Sequence, residues 1–280
     1  MRYAELTIRV VDPTQAALLM ADLEALPVES VTESEGEVKA YIPEVDYREI
    51  TRSDFPMASH VGELSVDVRW IEHQNWNAIW ESAFEPVVIG QDVLLRAPFH
   101  QEPNPSDFRY VIEMTPKMAF GTGHHGTTYQ MLQTLLDHPT EGADVLDMGC
   151  GTGVLAVLAA YQRADRIVGI EIDPHAADNA REIAETNGVA DQVDILTGDA
   201  SSLEGQGRFD VILANINRNV LLHDLPTYAA HAKSGSWLHL SGFYRQDVET
   251  LVERAKDCGY SLVSEGEREG WMRLTFKYAQ

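Results

Sequence analysis

Tyr3, Glu5, Leu6, Thr7, Ile8, Arg9 and Val10 alternate as a half-buried strand that Asp12-Pro13 closes. Ala16, Leu19, Met20, Leu23 and Leu26 then recur at helical spacing until Pro27 stops the helix. Residues 28–32 and 38–42 flank Ser34-Glu35-Gly36 and read as a hairpin, 47–57 as a short helix, and 64–70 as a last alternating strand. The order β-α-β-β-α-β predicts a small ferredoxin-like α+β domain over 1–72, either a recognition domain, the preferred reading, or a structural appendage. Aromatics at helical spacing in 75–84 predict a linker helix, 87–99 reads as strand and turn, and the Pro-rich stretch 101–106 marks the last break. Residues 73–106 therefore form the expected connection, and 107–280 a second domain.

From there the rhythm changes to short unbroken apolar runs. Strands are expected at 145–148, 166–171, 193–196, 209–214 and 237–242, the buried strands of a parallel sheet with helices between them. After a helix at 246–258, strands at 260–264 and 271–277 are separated only by a turn around Glu269-Gly270, which demands antiparallel pairing.

The length of 280 residues leaves room for two domains, and 44% apolar content can fill a core in each. With 21 basic against 44 acidic residues, the net charge of −23 repels phosphates and argues against direct nucleic-acid binding. It suits a basic protein partner, or equally a solvated surface adapted to high salt. Cys150 and Cys258 have no metal spacing. No signal core and no run near ~18 apolar residues is present, so no membrane association and a cytoplasmic location are expected, as is a monomer.

Candidate chemistry gathers at the strand ends. Asp147-Met148-Gly149-Cys150-Gly151-Thr152-Gly153 joins a strand to an Ala- and Leu-rich helix. The glycines allow a sharp turn and bare main chain against a ligand, and the G-x-G-x-G spacing behind a carboxylate differs from the G-x-G-x-x-G that holds a pyrophosphate. Asp147 would repel a pyrophosphate but attract the ammonium and sulfonium of S-adenosylmethionine (AdoMet). Glu171 ends the next strand about 20 residues later, where it can accept bonds from both ribose hydroxyls. Asp173 precedes Pro174 and reads as a helix cap. Asp199 can hold an adenine amine, and Asn215 ends the fourth strand. Ser241-Gly242 either approaches this cleft or serves a bend. Upstream, residues 114–128 combine glycines, hydroxyls and the pair His124-His125 ahead of a helix at 128–138. Backbone donors and side chains there can converge on a ligand, or Thr127 and Thr128 simply cap the helix. The histidines lack a third ligand at recognisable spacing, so no metal is expected.

Lys117-Met118-Ala119-Phe120-Gly121-Thr122-Gly123-His124-His125-Gly126-Thr127-Thr128, the glycine motif, Glu171-Ile172-Asp173-Pro174 and Ala214-Asn215-Ile216-Asn217 resemble the ribosomal protein L11 methyltransferase (PrmA) family over the whole chain. The resemblance implies a Rossmann-like class I methyltransferase domain, with a mostly parallel seven-stranded sheet and one antiparallel strand. The N-terminal module and linker helix would hold the substrate. AdoMet would donate methyl groups to lysine side-chain amines and the N-terminal amine of L11. By position, Phe120, Thr122, Gly123 and Thr127 would lie near the methionine end of the cofactor, Gly149 and Glu171 at the cofactor, and Asn215 at the transferring methyl. Gly126 stands where family members usually carry a carboxylate or Pro.

The implied reaction is an in-line displacement by a neutral amine. A lysine of ordinary pKa near 10.4 must first lose its proton, and burial beside a sulfonium favours that. Asn215 is the candidate catalytic group, its carbonyl aiming the amine, or else a structural Asn in a turn. Asn215-Ile216-Asn217-Arg218 lacks the N/D-P-P-aromatic pattern of enzymes that methylate adenine, cytosine or glutamine. The alternatives are methylation of another protein or a small molecule, and a catalytically silent AdoMet-binding adaptor.

Overall fold

In the computed structural model, which describes residues 2–10, 13–23, 26–34, 37–62, 64–71, 85–115 and 121–279, the alternating start of the chain forms β1 (Tyr3–Arg9). The chain divides into two units, Met1–Ala83 and Phe84–Gln280. In the first, β1 is followed by α1 (Pro13–Leu23), β2 (Ser30–Ser34), β3 (Glu37–Pro43), α2 (Pro56–Val61) and β4 (Ser65–Ile71). The sheet order is β2-β3-β1-β4, with every pair antiparallel, the ferredoxin-like arrangement. Leu6 lies opposite Ala40 and Val68, and Ile8 opposite Val38 and Val66, so one face is apolar and packs on Leu19 and Leu23 of α1 and on Phe55 and Ala58.

The second helix begins later than its sequence suggests. Residues 47–51 are irregular, a 3₁₀ turn covers Arg52–Asp54, and α2 starts at Pro56, whose missing N–H costs nothing at a first helical position. Its cap comes from α1: the buried carboxylate of Asp22 accepts from the Met57 and Ala58 amides at 3.2 and 2.9 Å. The tip of the β2–β3 hairpin and the helix expected at 75–84 lie outside the described residues.

The second unit opens with β5 (Val87–Ile89), β6 (Val93–Arg96) and β7 (Tyr110–Glu113). β5 and β6 pair antiparallel and β6 and β7 parallel, so residues read from sequence as a connection share a sheet with residues beyond the Pro-rich break. Then follow α3 (Gly126–Asp137), β8 (Asp144–Met148), α4 (Val154–Tyr161), β9 (Arg166–Glu171), α5 (Pro174–Thr186), β10 (Val193–Thr197), β11 (Phe209–Asn215), α6 (Arg218–Ala230), β12 (Ala232–Tyr244), α7 (Val248–Asp257), β13 (Tyr260–Arg268) and β14 (Trp271–Tyr278). The large sheet runs β10-β9-β8-β11-β12-β14-β13, and only β14 runs against the direction of the other six strands. This is the expected Rossmann-like sheet.

The apolar runs are explained by two cores, one on each face. Val145, Ile167, Val211 and Leu213 face α3, α4 and α5, while Leu146, Val168, Ile212 and Ala214 face α6 and α7. Because both faces are covered, neither can be polar. Helix α4 is buried along Val154 to Ala160, as a helix that is apolar on all sides must be.

The small sheet is tied to this body by Asn187, which follows α5. Its Oδ1 accepts from the Glu113 amide at 2.9 Å and the Tyr161 hydroxyl at 3.0 Å, and its Nδ2 donates to Glu113 O and Ile183 O at 2.6 and 2.7 Å. Asn187→Ala leaves both main-chain groups of Glu113 unpaired, so a loss of about 2–3 kcal/mol is expected. The urea midpoint of unfolding should fall at unchanged slope; a midpoint that stays put would show that water replaces the amide.

Candidate functional site

Strand β8 delivers a loop that wraps around the end of β9. The Gly149 and Cys150 amides both donate to Ile170 O at 2.8 and 3.1 Å, the Gly151 amide to Glu171 Oε2 at 2.9 Å, and the Gly153 amide to Cys150 O at 2.8 Å. That path needs φ of +63°, +54° and +73° at Gly149, Gly151 and Gly153, values L side chains rarely adopt. Close approach adds a second constraint: a Cβ on Gly149 would lie 2.2 Å from Ile216 Cγ2, and one on Gly153 3.2 Å from Ala180 Cβ. The room above Gly149 is thus taken by the Ile216 side chain, where the glycine pattern suggests bare main chain open to a ligand.

The carboxylates separate into distinct roles. Asp147 is 1% exposed, and neither of its oxygens has a hydrogen-bond partner of good geometry. Burial, then the nearby Glu171 charge, push its pKa up to about 7 against a small opposing pull from the Ala156 amide. Glu171 is half-buried, with Oε2 on the Gly151 amide and Oε1 on the Asp173 amide at 3.1 Å, leaving lone pairs on both oxygens. Asp173 caps α5 through the His175 amide at 2.8 Å, as its place before Pro174 suggested. Asp199 is exposed and caps the 3₁₀ turn Ala200–Leu203: its Oδ1 accepts from the Ser201 hydroxyl at 2.6 Å and amide at 2.9 Å, bonds that hold its pKa low. Its other oxygen remains for a ligand amine. Cys150 is buried, and burial pushes its thiol pKa well up, so it is no nucleophile.

The loop before α3 is fastened to the glycine loop. The Thr152 hydroxyl donates to Gly121 O at 2.8 Å, and Thr122 Oγ1 lies 3.2 Å from His124 Nδ1. Gly123 has φ +89°, and a Cβ there would meet Leu95 at 2.9 Å. His124 Nε2 is 2.9 Å from Glu85 O, a loop-forming contact. His125 is the N-cap of α3, with Nδ1 2.8 Å from Thr127 Oγ1. Phe120 lies outside the described residues. Among the described residues no three His, Cys, Asp or Glu side chains are grouped to hold a metal.

Asn215 closes β11. Its Nδ2 makes a long hydrogen bond of 3.4 Å to Thr128 Oγ1, which orients the amide and leaves the buried Oδ1 without a partner. Beside it opens a cleft of about 240 Å³, lined by His125, Thr127, Asn215, Ile216, Asn217, Gly242 and Trp271, with an almost wholly apolar surface. Ile216 therefore stands between this cleft and the glycine loop. Gly242, with φ +99°, is obligatory, since a Cβ would lie 2.3 Å from Ile216 O. Asn217 caps α6 through the Asn219 and Val220 amides. Ile216 and Trp271 were not singled out from the sequence. Ile216 carried a signal in its place beside Asn215, whereas Trp271, at the start of the last strand, carried none.

A family model described as ribosomal protein L11 methyltransferase (PrmA) matches residues 8–279. The chain belongs to this family. A Bacteroides fragilis "Ribosomal protein L11 methyltransferase" is 39% identical over 99% of both chains, and the Porphyromonas gingivalis protein of that name is 40% identical over 92% of this chain and 89% of its own. A crystal structure of ribosomal protein L11 methylase from Lactobacillus delbrueckii subsp. bulgaricus shares the fold, with a TM-score of 0.65 at 19% identity, covering 70% of this chain and all of the other. As a PrmA-family member the chain is an AdoMet-dependent methyltransferase. The site fits that cofactor: an unpartnered buried carboxylate beside a second one suits a cation, and Glu171 retains acceptors for a diol. Among the described residues no helix is long and apolar enough to cross a membrane.

Asp147 makes stability pH-dependent. Its folded pKa lies above the unfolded value of 3.8, so the native state binds the extra proton; the contribution of Asp147 to stability is greatest below pH 4 and falls as pH rises through about 7. A shift of this size corresponds to roughly 4 kcal/mol, of which burying an unpaired amide in Asp147→Asn returns about half. Asp147→Asn should therefore melt higher than the wild type at pH 8, with the gain shrinking as pH falls and reversing towards pH 4, where the wild-type carboxyl is protonated. Thermal scans across that range check this, and a gain independent of pH would contradict it.

Proposed function

We propose that this chain uses AdoMet to methylate lysine side-chain amines and the N-terminal amine of ribosomal protein L11. The observation that carries the reading is the unpartnered Oδ1 of Asn215 at an apolar cleft beside the glycine loop. A carbonyl oxygen with no donor accepts from an incoming amine N–H and so directs the nitrogen lone pair. The Thr128 hydroxyl fixes the Asn215 amide plane.

Bound AdoMet would supply an electrophilic methyl on a sulfonium. Glu171 would hold its ribose diol, Asp199 its adenine amine, and Asp147 would favour its positive end. Thr122, Gly123 and Thr127, with Phe120 from the same loop, would cover the methionine end, and Gly149 and Gly151 would keep the loop backbone close. The chain's own part is to orient the amine and exclude water, and the apolar cleft favours the neutral form from which the lone pair is free. The first unit, with the following segment, would serve as the recognition module for the protein substrate. The net charge of −23 suits a basic substrate, and the reaction would take place in the cytoplasm.

Purified L11 incubated with this protein and AdoMet is expected to gain mass in methyl units. Asn215→Ala should lower kcat/KM by about 10²-fold, the scale for losing a positioning group, with the fold intact by circular dichroism. Absence of mass gain in a preparation that binds AdoMet would leave the silent adaptor or another substrate. Steering by charge predicts that L11 binding weakens between 50 and 500 mM salt while the melting temperature holds; salt-independent binding would favour high-salt adaptation as the origin of the acidity.

A further inference from the structure

The hairpin of β13 and β14 closes a second pocket on α3, which shares no lining residue with the apolar cleft. Its tip is pressed onto the helix: a Cβ on Gly126 would lie 2.9 Å from Arg268 O, and the buried Gln130 donates from Nε2 to Trp271 O at 3.1 Å. Behind the tip lies a space of about 240 Å³ that Arg268 and Arg273 both border. Arg268 is exposed, its guanidinium 3.6 Å from the centre of the Tyr129 ring. Arg273 is half-buried, and among the described residues no carboxylate forms an ion pair with it. Its Nη1 donates to Thr275 Oγ1 at 2.6 Å and Ser264 Oγ at 3.2 Å, while Nε and Nη2 have no acceptor among those residues.

An unpaired arginine is unexpected in a chain with 44 acidic residues against 21 basic ones. The nearby acids are committed elsewhere. Arg245 takes Glu265 and Glu267 at 2.8 and 2.9 Å, and Glu269 lies 3.5 Å from Arg268 Nε. Asp137, exposed at the end of α3, accepts from Gln133 at 3.3 Å and acts on Arg273 only at longer range; burial outweighs its pull and lowers the arginine's pKa. A cation so placed is destabilising until a counter-charge arrives. Gly266, directly opposite Arg273 on β13, bears on the same point. It has no left-handed φ to call for glycine, yet a Cβ there would lie 2.8 Å from Nη2 and 3.1 Å from Nε. Glycine thus seats the guanidinium with its unused edge over bare main chain.

We propose that this pocket binds an oxyanion, with Arg273 as the principal ligand and Arg268 as a second cation beside it. The free Nε and Nη2 edge presents two parallel N–H donors, the geometry that a carboxylate or a phosphate accepts in bidentate fashion. Arg273 follows Trp271 by two residues on the same face of β14, about 7 Å along the strand. Two sources can therefore fill the site: free phosphate, or a carboxylate close to the target amine in the protein substrate. Only the second source rests on the amine-methylation reading above.

Melting curves in sodium phosphate and in sodium chloride of equal ionic strength test the site without reference to activity. Phosphate is expected to raise the melting temperature saturably, by about 3–5 °C at tenfold excess over its Kd. Arg273→Gln should abolish the saturable part, and Gly266→Ala, which displaces the guanidinium, should weaken it. Asp137→Asn removes an exposed repelling charge and should tighten phosphate by about 3-fold, a gain that a merely structural arginine would not give. Steady-state methylation of L11 separates the sources. If a substrate carboxylate uses the site, phosphate raises KM for L11 at constant kcat, Arg273→Gln raises it too, and Asp137→Asn lowers it; if free phosphate is the occupant, the melting shift stands while KM does not respond. A phosphate effect that is the same in wild type and Arg273→Gln, or absent from both, together with an unchanged KM, overturns the proposal. If the wild type adds no methyl to L11, it is the function reading that fails, and the melting curves alone decide the site.

Discussion

Everything at the site depends on how the main chain passes the end of β9. The turn out of β8 has amides that cannot join a helix or a sheet, and it satisfies them on Ile170 O, Glu171 and Cys150 O. A buried amide without a partner is expensive, so the loop can take few other paths. Three residues must then be left-handed, and the Glu171 carboxylate must stay where the loop needs it. The same oxygen that a ribose would approach is therefore also a structural acceptor. Asp147 is buried behind this loop at the cost of its ionised form, a cost that a nearby positive charge would offset.

The parallel sheet converts this local geometry into a site. β8, β9, β10 and β11 run side by side in one direction, so their polar terminal residues emerge along one edge without further instruction. β12 brings Gly242 against the Ile216 backbone, and β14, the reversed strand, brings Trp271 to the same place from the opposite direction. On the proposed reading, the cofactor side would be built from strand ends and the amine side from a helix start and a hairpin. The chemistries differ accordingly, carboxylates and amides on one side and almost bare carbon on the other.

How much of this was legible follows from the range of the forces involved. Strands buried on both faces and glycines ahead of an apolar helix are written locally, so the large sheet and the turn out of β8 could be read in order. The second helix of the first unit could not, because its start is capped by Asp22 from another helix. β7 is four residues long and becomes a strand only beside β6. Gly126 could be recognised as a departure from the family pattern, but its reason, the Arg268 carbonyl, is supplied by the last hairpin of the fold. Asp173 shows the reverse case, a carboxylate in suggestive company whose local grammar, one residue before Pro174, correctly named it a cap.

The contact between Gly126 and Arg268 O has a historical side. A larger residue at the start of α3 would force the hairpin tip away, while a retracted tip would remove the reason for glycine. A side chain at the helix start has room only once the hairpin tip has moved, so the order in which the two changes can be accepted is restricted. Two positions far apart in the second unit are thereby coupled, and a side chain introduced at Gly126 without a change at the hairpin tip would meet the Arg268 carbonyl.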